Sequence, residues 1–297
     1  MTASPYRGRL APSPTGLLHL GHARTFWIAY QRAKAVNGTL LFRNDDLDPH
    51  RSKKEFIAAM IEDLHWLGLT WTGPIVNQSE RMPLYKAALE KLIAQGDAYI
   101  CTCTRKDLAA SSRAPHEEED DEPIYSGRCR PAEAENGNCR PVDKRRHPER
   151  SAQREVEGSP DLSFAGTTIR FRIPTADPVT FEDQNLGPQT FTPQKDFGDF
   201  LLWSRDNIPS YQLATVVDDA ALQITEVVRG ADLLRSTARQ ILLQRALGLL
   251  TPAYFHCELL RDQAGRRLAK RHDALALRTL RSQGLTPAEV LAEFPSL

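Results

Sequence analysis

Residues 7–46, "RGRLAPSPTGLLHLGHARTFWIAYQRAKAVNGTLLFRNDD", constrain the fold more than any other stretch of the chain. A short strand enters a Pro/Gly turn. From Leu20 the apolar residues Ala23, Phe26, Trp27, Tyr30 and Ala33 recur at helical spacing. Asn37-Gly38 then supplies a C-terminal stop, and "TLLFRNDD" reads as a second strand that turns acidic at its end. Strand, helix and strand in one run make a βαβ unit, and such units build parallel sheets with right-handed crossovers. His19 and His22 fall where the helix begins, at the end that carries unpaired N–H groups and the positive pole of the dipole. Two histidines at this interval suit either a metal or an anion. With no third ligand at a suitable interval, the anion, a phosphate chain above all, is the better match. Gly21 lets a ligand approach the backbone where a side chain would block it.

The spacing predicts further helices over 53–67 and over 82–95, the latter stopped by Gly96. After Tyr99 the character changes. "CTC" at 101–103 is followed by the acidic run "HEEEDDE", by "IYSGRCR", and by a Pro-, Glu- and Arg-rich tract over about 130–165. So few apolar residues argue for a flexible insertion rather than a second core. "TTIRFRIP" resumes regular structure. "YQLATVVDDA" and "QITEVVRGADLL" read as buried strands, and a helix follows over 236–247. The expectation is an α/β fold: a Rossmann-type parallel-sheet domain with its first half in 1–98, an insertion over 99–194, and its second half with a short helical tail in 195–297.

Thirty-eight Lys+Arg balance thirty-eight Asp+Glu, so net charge neither supports nor excludes a nucleic-acid partner. No run of 18 apolar residues and no secretory leader is present, which gives a cytoplasmic, non-membrane expectation; a monomer is expected. Five cysteines, an odd number, suit a metal site better than a disulfide framework. On a strand Cys101 and Cys103 would share one face, but two ligands alone do not make a metal site. With Tyr125 and Cys129 in "YSGRC", a tight loop can bring four ligands round one structural zinc. On residue type alone the fourth ligand is Cys139 or His116. Cys257 reads as a buried small hydrophobe.

"RLAPSPTGLLHLGHART" resembles the signature of glutamyl-type class I aminoacyl-tRNA synthetases, with His19-Leu20-Gly21-His22 in the place of their nucleotide-binding tetrapeptide. The resemblance implies that His19 and His22 meet ATP phosphates and stabilise the transition state of adenylate formation, with Gly21 beside them. It implies a glutamate site made by Arg9, Leu10, Ala11, Pro12, Ser13, Asp45, Tyr211 and Arg229. Asp45 stands where the family has a glutamate for the substrate ammonium, one methylene shorter. The family's lysine loop corresponds to Arg267-Leu268-Ala269-Lys270-Arg271, and of its two lysines only Lys270 survives, as the phosphate ligand. Mg2+ is expected to arrive with ATP.

A small subgroup binds zinc through a Cys-x-Cys…Tyr-x-x-x-Cys pattern, which assigns Cys101, Cys103, Tyr125 and Cys129, leaving Tyr125 and Cys139 as rivals for the fourth place. Twenty-six residues follow Arg271, too few for an anticodon-binding domain. Both features resemble the glutamyl-queuosine tRNA(Asp) synthetases. That likeness implies ATP-dependent activation of L-glutamate and its transfer to queuosine at the wobble position of tRNA(Asp). The alternatives are a divergent glutamyl-tRNA synthetase charging the 3′ end, and a non-catalytic paralogue that binds amino acid, nucleotide or RNA. Arg278 and Arg281 are candidates for contact with the RNA backbone.

Overall fold

The strand β1 (Arg7–Leu10) and the strand β2 (Thr39–Asn44) run parallel, with Arg7 opposite Thr39 and Leu10 opposite Phe42, and helix α1 (Leu20–Ala35) crosses between them. This is the βαβ unit read from the sequence. The computed structural model describes residues 5–103, 124–131, 164, 166–260 and 276–294. The lysine loop with Lys270, the tract with Cys139, and His116 lie outside the described residues. The chain divides into two compact units. The first comprises Met1–Pro83, Thr180–Thr190 and Val216–Leu297; the second comprises Leu84–Val179 and Phe191–Thr215.

In the first unit β2 also pairs with β3 (Val76–Asn77), in parallel, after helix α2 (Lys54–Trp66). A second sheet has the order β7 (Gly187–Phe191), β6 (Val179–Asp183), β10 (Ala253–Cys257), β9 (Glu226–Gly230), with β10 parallel to both of its neighbours. The two sheets are stitched where β1 meets the start of β9: Thr225 N–H donates to the Arg7 carbonyl at 2.9 Å, and Arg7 N–H to Thr225 Oγ1 at 2.9 Å. Chain order therefore reverses between β1 and β9, the kind of crevice in which open α/β sheets bind ligands. Leu10, Phe42, Val228 and Phe255 from the strands pack with Ala23, Ile28 and Ala29 of α1 and Met60 and Leu64 of α2 in one core. Arg32 of α1 forks onto Glu226 of β9 at 2.8 and 2.6 Å and lies 4.1 Å over the Phe255 ring, which pins the helix to the sheet.

In the second unit the body of α3 (Met82–Gln95) leads into an antiparallel sheet of order β4 (Ala98–Cys101), β5 (Thr168–Phe171), β8 (Leu201–Trp203). Trp203 is fully buried, with Phe164 edge-on at 5.7 Å.

Two expectations need correction. "YQLATVVDDA" is a helix, α4 (Tyr211–Ala221), and not a strand. Ser210 starts it, its Oγ accepting from Leu213 N–H at 3.3 Å, and the β-branched run Thr215-Val216-Val217 gives it the look of a strand, although Leu213, Val216, Val217 and Ala220 keep helical spacing. The second stretch behaves as read, β9 followed by helix α5 (Leu234–Leu247). Cys103 is also not a strand residue: β4 ends at Cys101. Two short helices, α6 (Leu277–Ser282) and α7 (Pro287–Ala292), close the described chain. No helix among the described residues is long and apolar enough to cross a membrane.

Candidate active site and metal centre

His19 is the N-cap of α1. Its backbone is extended, and its Nδ1 accepts from Gly21 N–H at 3.2 Å. With Nδ1 an acceptor, the neutral ring carries its proton on Nε2, a donor of the kind a phosphate oxygen takes. The His22 ring stacks on it at 3.8 Å between centroids. No acidic residue occupies the first turn of α1, so nothing in that turn opposes an anion at the positive end of the helix. The preceding loop is tied down through its carbonyls: Pro12 O accepts Asp45 N–H at 3.0 Å and Pro14 O accepts Lys53 N–H at 3.2 Å. Leu10 and Pro12 are buried, Ala11 is half-buried and Ser13 is exposed.

Below this turn lies a buried network of arginines and aspartates. Arg43, with no exposed surface, holds Asp45 in a two-pronged bond, Nε to Oδ1 at 2.6 Å and Nη2 to Oδ2 at 3.0 Å. Its Nη1 donates to Asp219 Oδ1 at 2.7 Å, and the same oxygen accepts from Arg9 Nε at 3.1 Å. Arg9 Nη1 reaches the Val228 carbonyl at 3.3 Å, one residue before Arg229. Asp218, the neighbour of Asp219 on α4, accepts from Arg81 at 2.6 Å and Gln78 at 2.8 Å. Burial lifts the Asp45 carboxyl above its ordinary range, with Arg43 acting against that rise. Burial opposes the charge on Arg43, but Asp45 and Asp219 outweigh it.

The structure thus joins Arg9 and Asp45 through Arg43 and Asp219, and sets Arg229 next to the Arg9 anchor point. Tyr211, 39% exposed, opens α4 in the second unit. Sequence reasoning missed Arg43, Asp218 and Asp219. The available signal was a pair of acids ending an otherwise apolar run, "VVDD", which a buried position tolerates only with cationic partners.

The cysteines converge within the second unit. Tyr125 Oη lies 3.5 Å from Cys101 Sγ and 3.5 Å from Cys103 Sγ, and the Cys103 and Cys129 sulfurs are 3.6 Å apart. All three sulfurs lie within 4.8 Å of one another. Zinc bonds of about 2.3 Å to sulfur and about 2.0 Å to oxygen set tetrahedral edges of roughly 3.8 and 3.5 Å. The four side chains fit that group. Cys129 N–H donates to Tyr125 Oη at 2.8 Å, and Arg170 lies 4.2 Å over the Tyr125 ring. Burial opposes ionisation of Cys129, yet hydrogen bonds from Tyr125 and Thr102 prevail and bring its thiol down to about 6, favouring the ligand form. Asp199 braces this loop from behind, accepting from Tyr99 Oη at 2.7 Å and Arg130 Nη1 at 2.7 Å.

Arg278 and Arg281 on α6 both meet the exposed Glu62, the latter at 2.7 Å.

The family model for the catalytic domain of class I tRNA synthetases (E and Q) matches residues 6–294. The chain belongs to this family. Among class I relatives, the glutamyl-Q tRNA(Asp) synthetase of Symbiobacterium thermophilum is 41% identical over 98% of this chain and 85% of its own length. The glutamate–tRNA ligase of Aquifex aeolicus is 38% identical over 96% of this chain, which spans 55% of that ligase. The glutamate tRNA ligase of Elizabethkingia meningosepticum, solved in complex with its amino acid, superposes with a TM-score of 0.69 at 25% identity, over 95% of this chain and 54% of that one. Class I membership accounts for the parallel sheet and for the helix start beside it.

Proposed function

We propose that this class I synthetase activates L-glutamate with ATP and transfers the glutamyl group to queuosine in the anticodon of tRNA(Asp). The observation that carries the reading is the match, along 98% of this chain and 85% of the relative, to a protein that bears this activity in its name. The convergence of Cys101, Cys103, Tyr125 and Cys129 supports it as well. In the first step the glutamate α-carboxylate attacks the α-phosphorus and pyrophosphate leaves. In the second a queuosine hydroxyl attacks the activated carbonyl, gives up its proton, and AMP departs.

Each residue has a role in this scheme. Arg9 and Arg229 hold the anionic amino acid, because guanidinium forks match carboxylates in charge and in shape. Asp45 accepts from the substrate ammonium with the lone pairs Arg43 leaves, and Leu10, Ala11, Pro12 and Ser13 line the site. His19 and His22 donate to the phosphates beside Gly21, and Lys270 neutralises charge that builds on the leaving pyrophosphate. Stabilisation of this kind, by pre-placed donors, is the main resource of adenylyl transfer. Mg2+ enters with ATP. Zinc on the four-residue cluster supplies a fixed crosslink for the 101–129 segment. In this reading the enzyme works on its tRNA in the cytoplasm.

Glutamate-dependent ATP–pyrophosphate exchange without tRNA tests the first step. The purified protein should exchange with L-glutamate and fail with L-glutamine, whose neutral amide lacks the charge that Arg9 and Arg229 require. Zinc-loaded protein with no exchange would remove the enzymatic reading.

A further inference from the structure

Arg229 is oriented by a chain of buried groups from three other elements, none of which the scheme above employs. His256 on β10 has no exposed surface, and its Nδ1 lies 2.6 Å from Asp183 Oδ2 on β6. So short a contact with a carboxylate requires the proton on Nδ1. On the opposite side of the ring, Nε2 lies 3.3 Å from Arg229 Nε on β9 and 2.9 Å from Thr237 Oγ1 on α5. Arg229 Nε–H is a donor, so Nε2 has to present its lone pair. Arg229 Nη2 donates to the same Thr237 Oγ1 at 2.6 Å. One edge of the guanidinium is therefore held twice, by imidazole and by hydroxyl, and its plane is fixed before any ligand arrives.

We propose that Asp183 and His256, with Thr237, are positioning residues for the amino-acid pocket: Asp183 sets the His256 tautomer, and that tautomer aims Arg229 at glutamate. The choice of an imidazole has a physical reason. A neutral ring on Nε fixes the geometry of Arg229 and adds no negative charge beside the one on Asp219 that Arg9 already carries. Burial, reinforced by the Arg229 charge, brings His256 down to about 4, so the ring is neutral at physiological pH. Tyr254 and Arg9 are the other charged or titratable groups facing it. Asp183 is itself anchored: its Oδ1 accepts from Asn185 N–H at 3.1 Å, Leu186 N–H at 2.9 Å and His256 N–H at 3.2 Å. An asparagine at this position keeps its carbonyl on those donors and turns its NH2 toward Nδ1. The proton then moves to Nε2, where it meets Arg229 Nε–H head-on, much as the analogous exchange in a Ser-His-Asp triad produces the wrong tautomer.

The inference rests on the proposed role of Arg229, and two readouts separate the failure of one from the failure of the other. With 15N-labelled histidine, the His256 ring (assigned by loss of its signal in His256→Gln) should be the Nδ1–H form at pH 7 and the Nε2–H form in Asp183→Asn. In ATP–pyrophosphate exchange, Asp183→Asn should raise KM for glutamate by about tenfold or more while KM for ATP stays within about twofold. Thr237→Val should raise KM for glutamate in the same selective way, and Thr237→Ser should restore it. An unchanged His256 tautomer in Asp183→Asn, or KM values for glutamate and ATP that move together, overturns the proposal. A wild-type protein without exchange overturns the enzymatic reading instead, and the ring spectrum still decides the relay.

Discussion

Asp219 accepts from two guanidinium groups on a single oxygen, Arg9 at 3.1 Å and Arg43 at 2.7 Å, with almost no exposed surface among the three. Removing its charge leaves buried cations short of a partner, a change that costs about 3 kcal/mol or more in a desolvated setting. Asp48 pairs with Arg51 at 2.6 Å in solvent, where such a bond contributes about 0.5 kcal/mol. Urea unfolding should therefore show Asp219→Asn strongly destabilised and Asp48→Asn close to wild type. Asp63 presents the opposite case. It lies on the core side of α2, fully buried, and neither carboxylate oxygen has a hydrogen-bond partner among the described residues. Burial raises its carboxyl to about 6. A carboxyl whose folded pKa exceeds its unfolded value costs stability above the folded value and regains it as pH falls through about 6 toward 4. Asp63→Asn should accordingly raise Tm by a few degrees at pH 7.5, and the gain should vanish by pH 4.

The segment carrying Tyr125 and Cys129 depends on a close approach from a neighbouring loop. A Cβ on Gly198 would sit 2.9 Å from Tyr125 N and 3.1 Å from Ile124 Cγ2. Gly198→Ala should displace this segment and weaken metal retention, read as faster zinc loss to a chelator. Metal analysis of the wild type should find near one zinc per chain. Cys139→Ala should retain it and Cys129→Ser should lose it; loss in Cys139→Ala would transfer the fourth ligand from Tyr125 to Cys139. How far the elements were legible depends on how sharply they show a period. α1 and α3 have amphipathic spacing and glycine stops, and they run where the sequence puts them. α4 carries the β-branched run Thr215-Val216-Val217, which looks like a strand, although Leu213, Val216, Val217 and Ala220 keep helical spacing behind Ser210. The convergence of Cys101 and Cys103 with Cys129 depends on a loop that brings Tyr125 and Cys129 to the end of β4, which residue spacing does not reveal.

At the scale of the molecule, the first βαβ unit and the paired histidines were readable because strand, turn and helix start are set by residues contiguous in sequence. The buried charge network was not, because Arg9, Arg43, Arg81, Asp45, Asp218 and Asp219 come from distant parts of the chain and meet only when the sheet forms. The same is true of Asp183, His256 and Thr237 behind Arg229. Folding thus turns balanced charge into local polarity: buried arginines, each backed by acids or by a neutral ring. The central claim is that this machinery delivers glutamate to a modified base and not to an acceptor end. Labelled glutamate and ATP, supplied with tRNA(Asp) that lacks its 3′-terminal adenosine, decide the matter most directly. The account predicts stable label on that RNA when it contains queuosine and none when it does not. Label that requires the terminal adenosine, or that appears equally on queuosine-free RNA, would contradict it.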